Sequence, residues 1–243
     1  MKTWFTVLAC LLFVSFATQA GTAEPPPQQK EQADEAQKRW DEQEYFNRGV
    51  AWLDKGEYDK AISDFNQALA INPKCGPTYY NRGTAWKEKG EYDKAIADFN
   101  DAIRLDLKLV EAYNNRGEGW RNKGEYDKAI ADYDKALTLD PKRAVAFNNR
   151  AWVYATCPDH NRRDGRKAVE NASKACQLTG ETKWDYIATL AAAYAESGEF
   201  NKAVEWQAKA IALASDDRIK QRLRSRLELY KQGKPYRDEL KKK

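Results

Sequence analysis

Two successive helical patterns stand near the start of the repeated region. Tyr45, Arg48, Gly49 and Trp52 occupy positions i, i+3, i+4 and i+7, and after a Lys-Gly break an apolar stripe runs over 58–71. Such spacing places side chains on one face of an α-helix, and a glycine between two stripes supplies the left-handed conformation that ends a helix. The pattern therefore predicts a pair of antiparallel helices joined by a short turn.

This helix pair recurs at a strict interval of 34 residues. The eight residues Lys-Gly-Glu-Tyr-Asp-Lys-Ala-Ile begin at Lys55 and return unchanged at Lys89 and Lys123. A period of about 20 to 50 residues is typical of solenoids, in which each unit buries its apolar face against the next copy. Two drifted copies follow, and the first of them has about five residues inserted in its turn at 157–165. We therefore predict an all-α solenoid of about five helix pairs.

Small and aromatic residues occupy matching positions in the first three copies. The first copy carries Gly49, Trp52, Ala61, Phe65, Ala68 and Pro73, and the next two copies carry Gly83, Trp86, Ala95, Phe99, Ala102, Gly117, Trp120, Ala129, Tyr133, Ala136 and Pro141. This arrangement resembles the tetratricopeptide repeat, in which small residues lie where the two helices cross and a proline ends the second helix. The resemblance implies a right-handed superhelical solenoid of antiparallel helix pairs. It also implies a binding scaffold without an enzymatic role, whose concave face holds a peptide or protein.

The predicted organisation has four parts. They are a signal peptide at 1–20, a Pro-rich and charged linker and lead-in at 21–40, the solenoid at 41–214, and a capping helix with a basic tail at 216–243. The repeats are placed at about 42–75, 76–109, 110–143, 144–183 and 184–215. Solenoids need a polar outer face at each end, so capping is the expected role of the last helix.

The first twenty residues have the composition of a secretory signal. Lys2 is their only charge, an apolar run extends from Trp4 to Phe16, and small residues follow. That run is too short to span a bilayer. We therefore expect an exported protein, periplasmic or secreted, of bacterial type. Lipidation at Cys10 and a retained membrane anchor stay open as alternatives.

Charge is unevenly distributed only at the C-terminal end. The whole chain has 41 Lys and Arg against 37 Asp and Glu, which indicates no special partner. Residues 216–243, however, hold eleven basic and five acidic residues around an apolar stripe of Ile219, Leu223, Leu227 and Tyr230. Weak contact of this helix with an anionic membrane would make the protein a structural component of an envelope assembly. No nucleic-acid partner is expected, because aromatic residues do not alternate with the basic ones.

Residues that could carry chemistry are sparse. His160 is the single histidine, and together with Cys157 it offers two ligands where a structural zinc site needs four. Carboxylates recur in every repeat, as surface residues do. We therefore expect no enzyme, no metal and no cofactor. Cys75, Cys157 and Cys176 remain after export. We expect no Cys157 to Cys176 disulfide, because the inserted turn would have to fold back along a helix.

An arginine precedes the small residue of the first helix in repeats one to four. These residues are Arg48, Arg82, Arg116 and Arg150. A buried guanidinium is costly without a partner, so we predict ion pairs between neighbouring repeats, with Asp64 beside Arg82, Asp98 beside Arg116 and Asp132 beside Arg150. Repeat five has Leu190 in place of the arginine while repeat four has Asn171 in place of the aspartate, which suggests that both partners are lost together. The alternative is an arginine stem packed flat with its head in water.

The candidate binding residues lie on the same helices. An asparagine precedes each arginine, and two further asparagines double the column: Asn47, Asn81, Asn115 and Asn149, with Asn114 and Asn148. A carboxamide both donates and accepts hydrogen bonds, so it can hold an extended peptide backbone without reading its sequence. Asparagine ladders of this kind hold peptides in a group of tetratricopeptide superhelices linked to glycosyltransferases, which these positions resemble. The alternative is that each asparagine bonds to an adjacent helix and supports the stack.

Selectivity is expected from neighbours that differ between repeats. These are Phe46 and Tyr80 as apolar or stacking contacts, Glu118 and Arg121 as charges, and Trp152 as an anchor. The lysines with which some tetratricopeptide domains clamp chaperone C-termini are replaced on the matching face by residues such as Val50 and Thr84. The resemblance therefore does not extend to a chaperone clamp.

Export gives the first test. The mature protein is expected to begin at Gly21, or at Glu24 if cleavage follows Ala23, because signal peptidase cuts after small residues. N-terminal sequencing of protein purified from its native cells measures this directly. An intact Met1 would contradict the expectation.

Overall fold

The computed structural model describes residues 26–106 and 109–238, and all regular structure in those ranges is helical. The helices are α1 (Pro27–Asp54), α2 (Tyr58–Ile71), α3 (Gly76–Glu88), α4 (Tyr92–Leu105), α5 (Val110–Asn122), α6 (Tyr126–Leu139), α7 (Ala144–Thr156), α8 (Gly165–Leu178), α9 (Trp184–Glu196), α10 (Phe200–Leu213) and α11 (Asp217–Lys231). A short 3₁₀ turn, His160–Arg162, lies between α7 and α8. The predicted signal peptide lies outside the described residues.

The helices form five successive pairs followed by one further helix. Each helix packs against the next along the chain, and the first helices of neighbouring pairs (α1, α3, α5, α7 and α9) also contact one another. The second helices approach each other less closely. The stack therefore has an inner side lined by the first helices, and the predicted all-α solenoid is confirmed.

Each of the first three pairs is fixed where a glycine meets an aromatic ring. A Cβ atom added to Gly49 would lie 2.6 Å from the Phe65 ring, and one added to Gly83 would lie 2.9 Å from the Phe99 ring. Phe65 and Phe99 are fully buried. A methyl group has no room at such distances. In repeat four the glycine becomes Ala151, and the residue that replaces the aromatic is Ala172, so the two sizes change together.

The first helix begins well before the first repeat. Residues 27–40, placed in the predicted linker and lead-in, form the first half of α1. The reason is composition: after Pro26 and Pro27, which suit the first positions of a helix, the stretch consists mainly of Gln, Glu, Lys and Ala, all strong helix formers. Its side chains are exposed, Trp40 to 59%, so this part of α1 extends away from the core.

The last helix covers the apolar side of the fifth pair. Leu223 and Tyr230 are at most 2% exposed. The Leu223 carbonyl accepts a hydrogen bond of 2.8 Å from Nε2 of the buried Gln207 on α10. Ile219 packs against the same core cluster. α11 therefore acts as the predicted cap.

The three cysteines within the described ranges are free thiols. Cys157 and Cys176 are buried, and burial raises the pKa of both, that of Cys176 to about 12. Such thiols are inert at neutral pH. No described helix combines the length and apolar character that crossing a membrane requires.

The glycine at the helix crossing can be tested by one added methyl group. Gly83→Ala should lower the free energy of unfolding by about 1–3 kcal/mol, because the Phe99 ring must move out of a packed position. Urea denaturation followed by circular dichroism measures the loss.

A second variant provides the control. Adding Phe99→Leu to Gly83→Ala should recover part of the loss, since the smaller side chain makes room for the methyl group. A double variant whose loss equals the sum of the two single losses would contradict the proposed contact.

Candidate peptide-binding surface

The arginine column pairs within each repeat. Nε of Arg48 donates to Asp64 at 2.7 Å, Nε of Arg82 to Asp98 at 2.8 Å, and Nε of Arg116 to Asp132 at 2.8 Å. A second nitrogen of each guanidinium donates to the other carboxylate oxygen, so the pairs are bidentate. The prediction that these aspartates pair with the next repeat is wrong. Where the two helices of a pair cross, the glycine at position i lies against the aromatic ring at position i+16, as Gly83 does against Phe99. The arginine immediately precedes the glycine and the aspartate immediately precedes the aromatic residue, so the same offset brings arginine and aspartate together.

The link between repeats uses a different residue. Arg82 donates through Nη1 to Asn66 at 2.7 Å, and Arg116 donates in the same way to Asn100. Both acceptors lie on the second helix of the preceding repeat. Each guanidinium therefore joins the aspartate of its own pair to the pair before it.

Repeat four keeps this arrangement with an amide acceptor. Nε of Arg150 donates to Asn171 Oδ1 at 2.9 Å, and its Nη1 pairs with Asp134 of repeat three. The interpretation that arginine and aspartate disappear together is therefore also wrong. Asn171 replaces the aspartate while Arg150 remains bonded.

These pairs are substantially withdrawn from water. Asp98 is 5% exposed, and the Arg82 guanidinium lies 5.4 Å from the centroid of the Tyr79 ring. Burial raises the pKa of Asp98 even though Arg82 counteracts it. Burial alone would lower the pKa of Arg82, but its bonds to Asp98 outweigh this and raise it. The pair thus offsets its desolvation cost only while both partners are present.

The asparagine column does not form one uniform ladder. Nδ2 of Asn115 donates to the Tyr80 hydroxyl at 3.1 Å, and Nδ2 of Asn149 donates to Asn114 Oδ1 at 3.2 Å. These two bonds connect neighbouring first helices. Asn81 instead donates to the Pro77 carbonyl of its own helix.

Asn47 also bonds within its helix, where it accepts from Gln43. The column therefore divides into Asn115 and Asn149, which connect repeats, and Asn47 and Asn81, which do not. Sequence spacing could not separate them, because the difference lies in the residue that the preceding repeat offers.

The apolar candidates are partly committed to the core. Phe46 lies 6.2 Å from Phe65 between ring centroids, and Tyr80 lies 6.0 Å from Phe99. Each therefore covers the glycine crossing from the inner side and exposes only part of its ring to a ligand.

The charged candidates form a network that also includes Lys87. Lys87 Nζ lies 2.8 Å from Glu118, and Arg121 lies 3.9 Å from the same carboxylate. Burial alone would raise the pKa of Glu118, but Lys87 and Arg121 hold it below its usual range. Sequence reasoning missed Lys87, although Lys87 and Arg121 occupy equivalent positions in repeats two and three.

The inner side contains a cavity of about 210 Å³ in its C-terminal half. Four predicted residues line it: Arg121, Asn148, Asn149 and Trp152. α9 and α11 supply the rest, among them Trp184, Thr189 and Arg222. Oδ1 of Asn148 is buried without a hydrogen-bond partner among the described residues. The cavity thus combines aromatic and aliphatic walls with amides, basic groups and one carboxylate, Asp185. Ligand sites commonly pair apolar walls with a few placed polar groups in this way.

Trp152 is already engaged by Tyr236 and Asp238 of the same chain. Its ring lies 5.9 Å from the Tyr236 ring, and its Nε1 donates to Asp238 at 2.8 Å. The predicted anchor is therefore available to a partner only if the C-terminal segment moves away. Across the described residues, no cluster of three or more His, Cys, Asp and Glu side chains is placed to hold a metal ion.

Family comparison identifies the class of protein. Models of the tetratricopeptide repeat match residues 43–75, 77–108, 110–143 and 185–217. Together they span more than half of the 243 residues. The chain belongs to the tetratricopeptide repeat family, whose fold serves as a scaffold for protein–protein interaction.

Solved structures share the fold at low sequence identity. Pseudomonas aeruginosa pilF matches with a TM-score of 0.65 and 18% identity over 81% of this chain and 86% of its own. The Thermus thermophilus protein TTC0263 matches with 0.60 and 23% over 79% and 99%, and MamA with 0.59 and 23% over 71% and 91%. No curated protein matches the chain in sequence. The likeness at these identities concerns the fold alone.

Replacing the partner of Arg82 tests the pairs within repeats. Asp98→Ala should lower the free energy of unfolding by about 2–4 kcal/mol, because it leaves a largely buried guanidinium without its carboxylate. Urea denaturation gives the value.

The chain itself supplies the control. Asp98→Asn copies the Arg150–Asn171 pair of repeat four and should cost about 1 kcal/mol, since the amide oxygen still accepts a hydrogen bond. Equal losses for Ala and Asn would show that the hydrogen bonds to Arg82 contribute nothing.

Proposed function

We propose that the protein is an exported, non-catalytic adaptor that holds an extended segment of a partner protein along its inner surface. The observation that carries the proposal is this surface itself. The first helices present amides, charges and rings at equivalent positions, and at Trp152 they already hold a segment of the same chain that has no regular structure. Family membership supports a scaffold, and the signal-like composition of 1–20 supports export.

The asparagines of the inner surface have two different roles, one in the scaffold and one toward a ligand. Asn115 and Asn149 use their N–H groups to connect neighbouring first helices. Asn47 and Asn81 bond only within their own helices in the described structure, so their carboxamides can turn toward a peptide backbone at little cost. We therefore assign backbone contacts to the N-terminal half of the inner surface.

Side-chain selectivity is assigned to the C-terminal half. The cavity at Asn148, Asn149 and Trp152 has the volume of a large side chain, and Arg121 and Arg222 give its wall a positive charge. A partner segment would thus be held by its backbone near α3 and by its side chains near α7.

Attachment to an anionic surface through α11 is the second candidate function. The Arg218 side chain is 94% exposed, and Arg224 is also exposed. Arg226, by contrast, points inward, where it lies 4.8 Å from the Trp152 ring centroid. Fewer basic side chains of α11 therefore face outward than the sequence suggested. This weakens the case for attachment to an anionic surface and favours the adaptor function.

Photo-crosslinking in living cells separates the two functions. A crosslinking amino acid at Asn81 faces the inner surface, and one at Ala97 occupies an exposed position on α4 as a matched control. The adaptor function predicts one dominant partner captured from position 81 and at least tenfold less from position 97. Equal capture from both positions would contradict binding on the inner surface.

The same cells test the second function by fractionation. Recovery of the protein with membranes at low salt only, abolished by Arg218→Glu with Arg224→Glu, would support attachment through α11, because contacts between exposed charges are screened by salt. The adaptor function predicts that the protein stays in the soluble exported fraction.

A further inference from the structure

The end of the described chain returns to the inner side of repeat four. α11 ends at Lys231, Gly233 takes a left-handed conformation with φ of 68°, and residues 234–238 continue without regular structure. We call 234–238 the tail segment. It lies against α7 and α9, and three consecutive residues make specific contacts there.

Tyr236 fills an aromatic position. Its ring lies 5.9 Å from the Trp152 ring, and the Arg226 guanidinium lies 4.3 Å from the Tyr236 centroid and 4.8 Å from that of Trp152. The three groups therefore form one cluster, in which the two rings are tilted by 42°. Guanidinium groups at such distances from aromatic rings are attracted by them.

Arg237 and Asp238 provide charge-specific contacts. Arg237 lies 2.6 Å from Glu196, a carboxylate that is 13% exposed and also accepts from Arg163 at 3.0 Å. Asp238 accepts from the Trp152 indole N–H at 2.8 Å, while its own backbone N–H donates to the Thr156 carbonyl at 2.9 Å. Both backbone and side chains of the tail segment are thus recognised.

The inserted turn of repeat four makes room for this contact. In the first three repeats the carbonyl equivalent to Ala155 accepts from the turn glycine, as Arg121 accepts from Gly124 at 2.9 Å. The equivalent position in repeat four is Pro158, which has no N–H to donate. The chain rejoins the regular pattern at Asp164, whose N–H donates to Tyr154.

The open carbonyls at the end of α7 are taken by the tail segment. Arg237 Nη1 lies 3.4 Å from the Ala155 carbonyl, and the Thr156 carbonyl accepts a hydrogen bond from the backbone N–H of Asp238. The last carbonyls of a helix carry partial negative charge, which favours a cation there. The insertion in repeat four thus leaves carbonyls open to which the tail segment bonds, although about 80 residues separate the two in sequence.

We propose that α7, α9 and α11 form a site for extended segments in which an aromatic residue is followed by arginine and then by an acidic residue, and that the tail segment occupies it as a built-in competitor. This inference rests on the proposed peptide-binding function and specifies its ligand. Trp152 and Arg226 recognise the ring, Glu196 the arginine, and the Trp152 N–H the acid. A partner segment gains access by displacing residues 234–238.

The tether makes displacement selective. A segment attached next to its site competes at an effective concentration on the order of millimolar. A partner that matches only one or two of the three positions does not displace it. The competitor therefore converts a small pentapeptide-sized site into a discriminating one.

Occupancy by the tail segment is tested in the full chain by amide hydrogen exchange. The Asp238 amide should exchange at least tenfold more slowly than in a free peptide, because it donates to Thr156. Arg237→Ala should remove this protection. Arg218→Ala, which changes an exposed side chain of the same region, should leave it intact. Free-peptide exchange in the wild type, or protection lost on dilution, would overturn the built-in competitor.

Ligand class is tested with a full-length variant carrying Tyr236→Ala, Arg237→Ala and Asp238→Ala. The probe is the capped peptide Lys-Pro-Tyr-Arg-Asp, and the control is the capped peptide Asp-Pro-Arg-Tyr-Lys of the same composition. The variant should bind the probe at least tenfold more tightly than the wild type does, and at least tenfold more tightly than it binds the control. Equal affinities for probe and control would overturn the assigned ligand.

Trp152→Phe in the same variant isolates one contact. It keeps an aromatic ring but removes the indole N–H, so replacing Asp by Ala in the probe should weaken binding only when Trp152 is present. Melting curves of each variant establish that it is folded. If position 81 captures a partner while these peptide tests fail, the adaptor function stands and the tail proposal falls. If the tail tests succeed without capture at position 81, the peptide site at α7, α9 and α11 stands, and the assignment of backbone contacts to the N-terminal half of the inner surface falls.

Discussion

The register of each helix pair is the constraint on which the rest of the structure depends. Gly83 has no side chain, so the Phe99 ring can lie where a Cβ atom would otherwise stand. The residues immediately before them, Arg82 and Asp98, are brought into a bidentate pair by the same 16-residue offset. Packing and ion pairing therefore select one register. The remaining guanidinium nitrogen bonds to Asn66, which carries that register to the preceding repeat.

This constraint decides which side of the solenoid is free for binding. Since the glycine crossing commits one face of each first helix to its own pair, the opposite face is left for the inner surface. Residues there have two roles. Asn149 and Glu118 connect neighbouring first helices, whereas Asn81 bonds within its own helix. The same surface therefore stabilises the stack and offers polar groups to a ligand. The stack is ordered before binding, which lowers the entropic cost of association.

The sequence predicts the fold well because the first three repeats satisfy the same local rules. A Lys-Gly break, a small residue at the crossing and a helical apolar stripe each have one structural interpretation, and their recurrence excludes the alternatives. Pairings between side chains were harder to predict. Asp64 is equally compatible in sequence with Arg48 and with Arg82, and only the crossing geometry selects Arg48. The contact between Trp152 and Asp238 had no sequence signal, because 86 residues separate the two. Tryptophan does not recur at the equivalent position of the other repeats, and Asp238 lies outside the repeats.

Binding on the inner surface is tested most directly by an amide chemical-shift map of the full chain on addition of the partner segment captured from position 81. If the segment binds there and displaces the tail segment, shifts are expected on the inward faces of α3, α5 and α7, together with faster hydrogen exchange at the Asp238 amide. Shifts confined to the outward faces of α2, α4 and α6, with Asp238 still protected, would contradict binding on the inner surface.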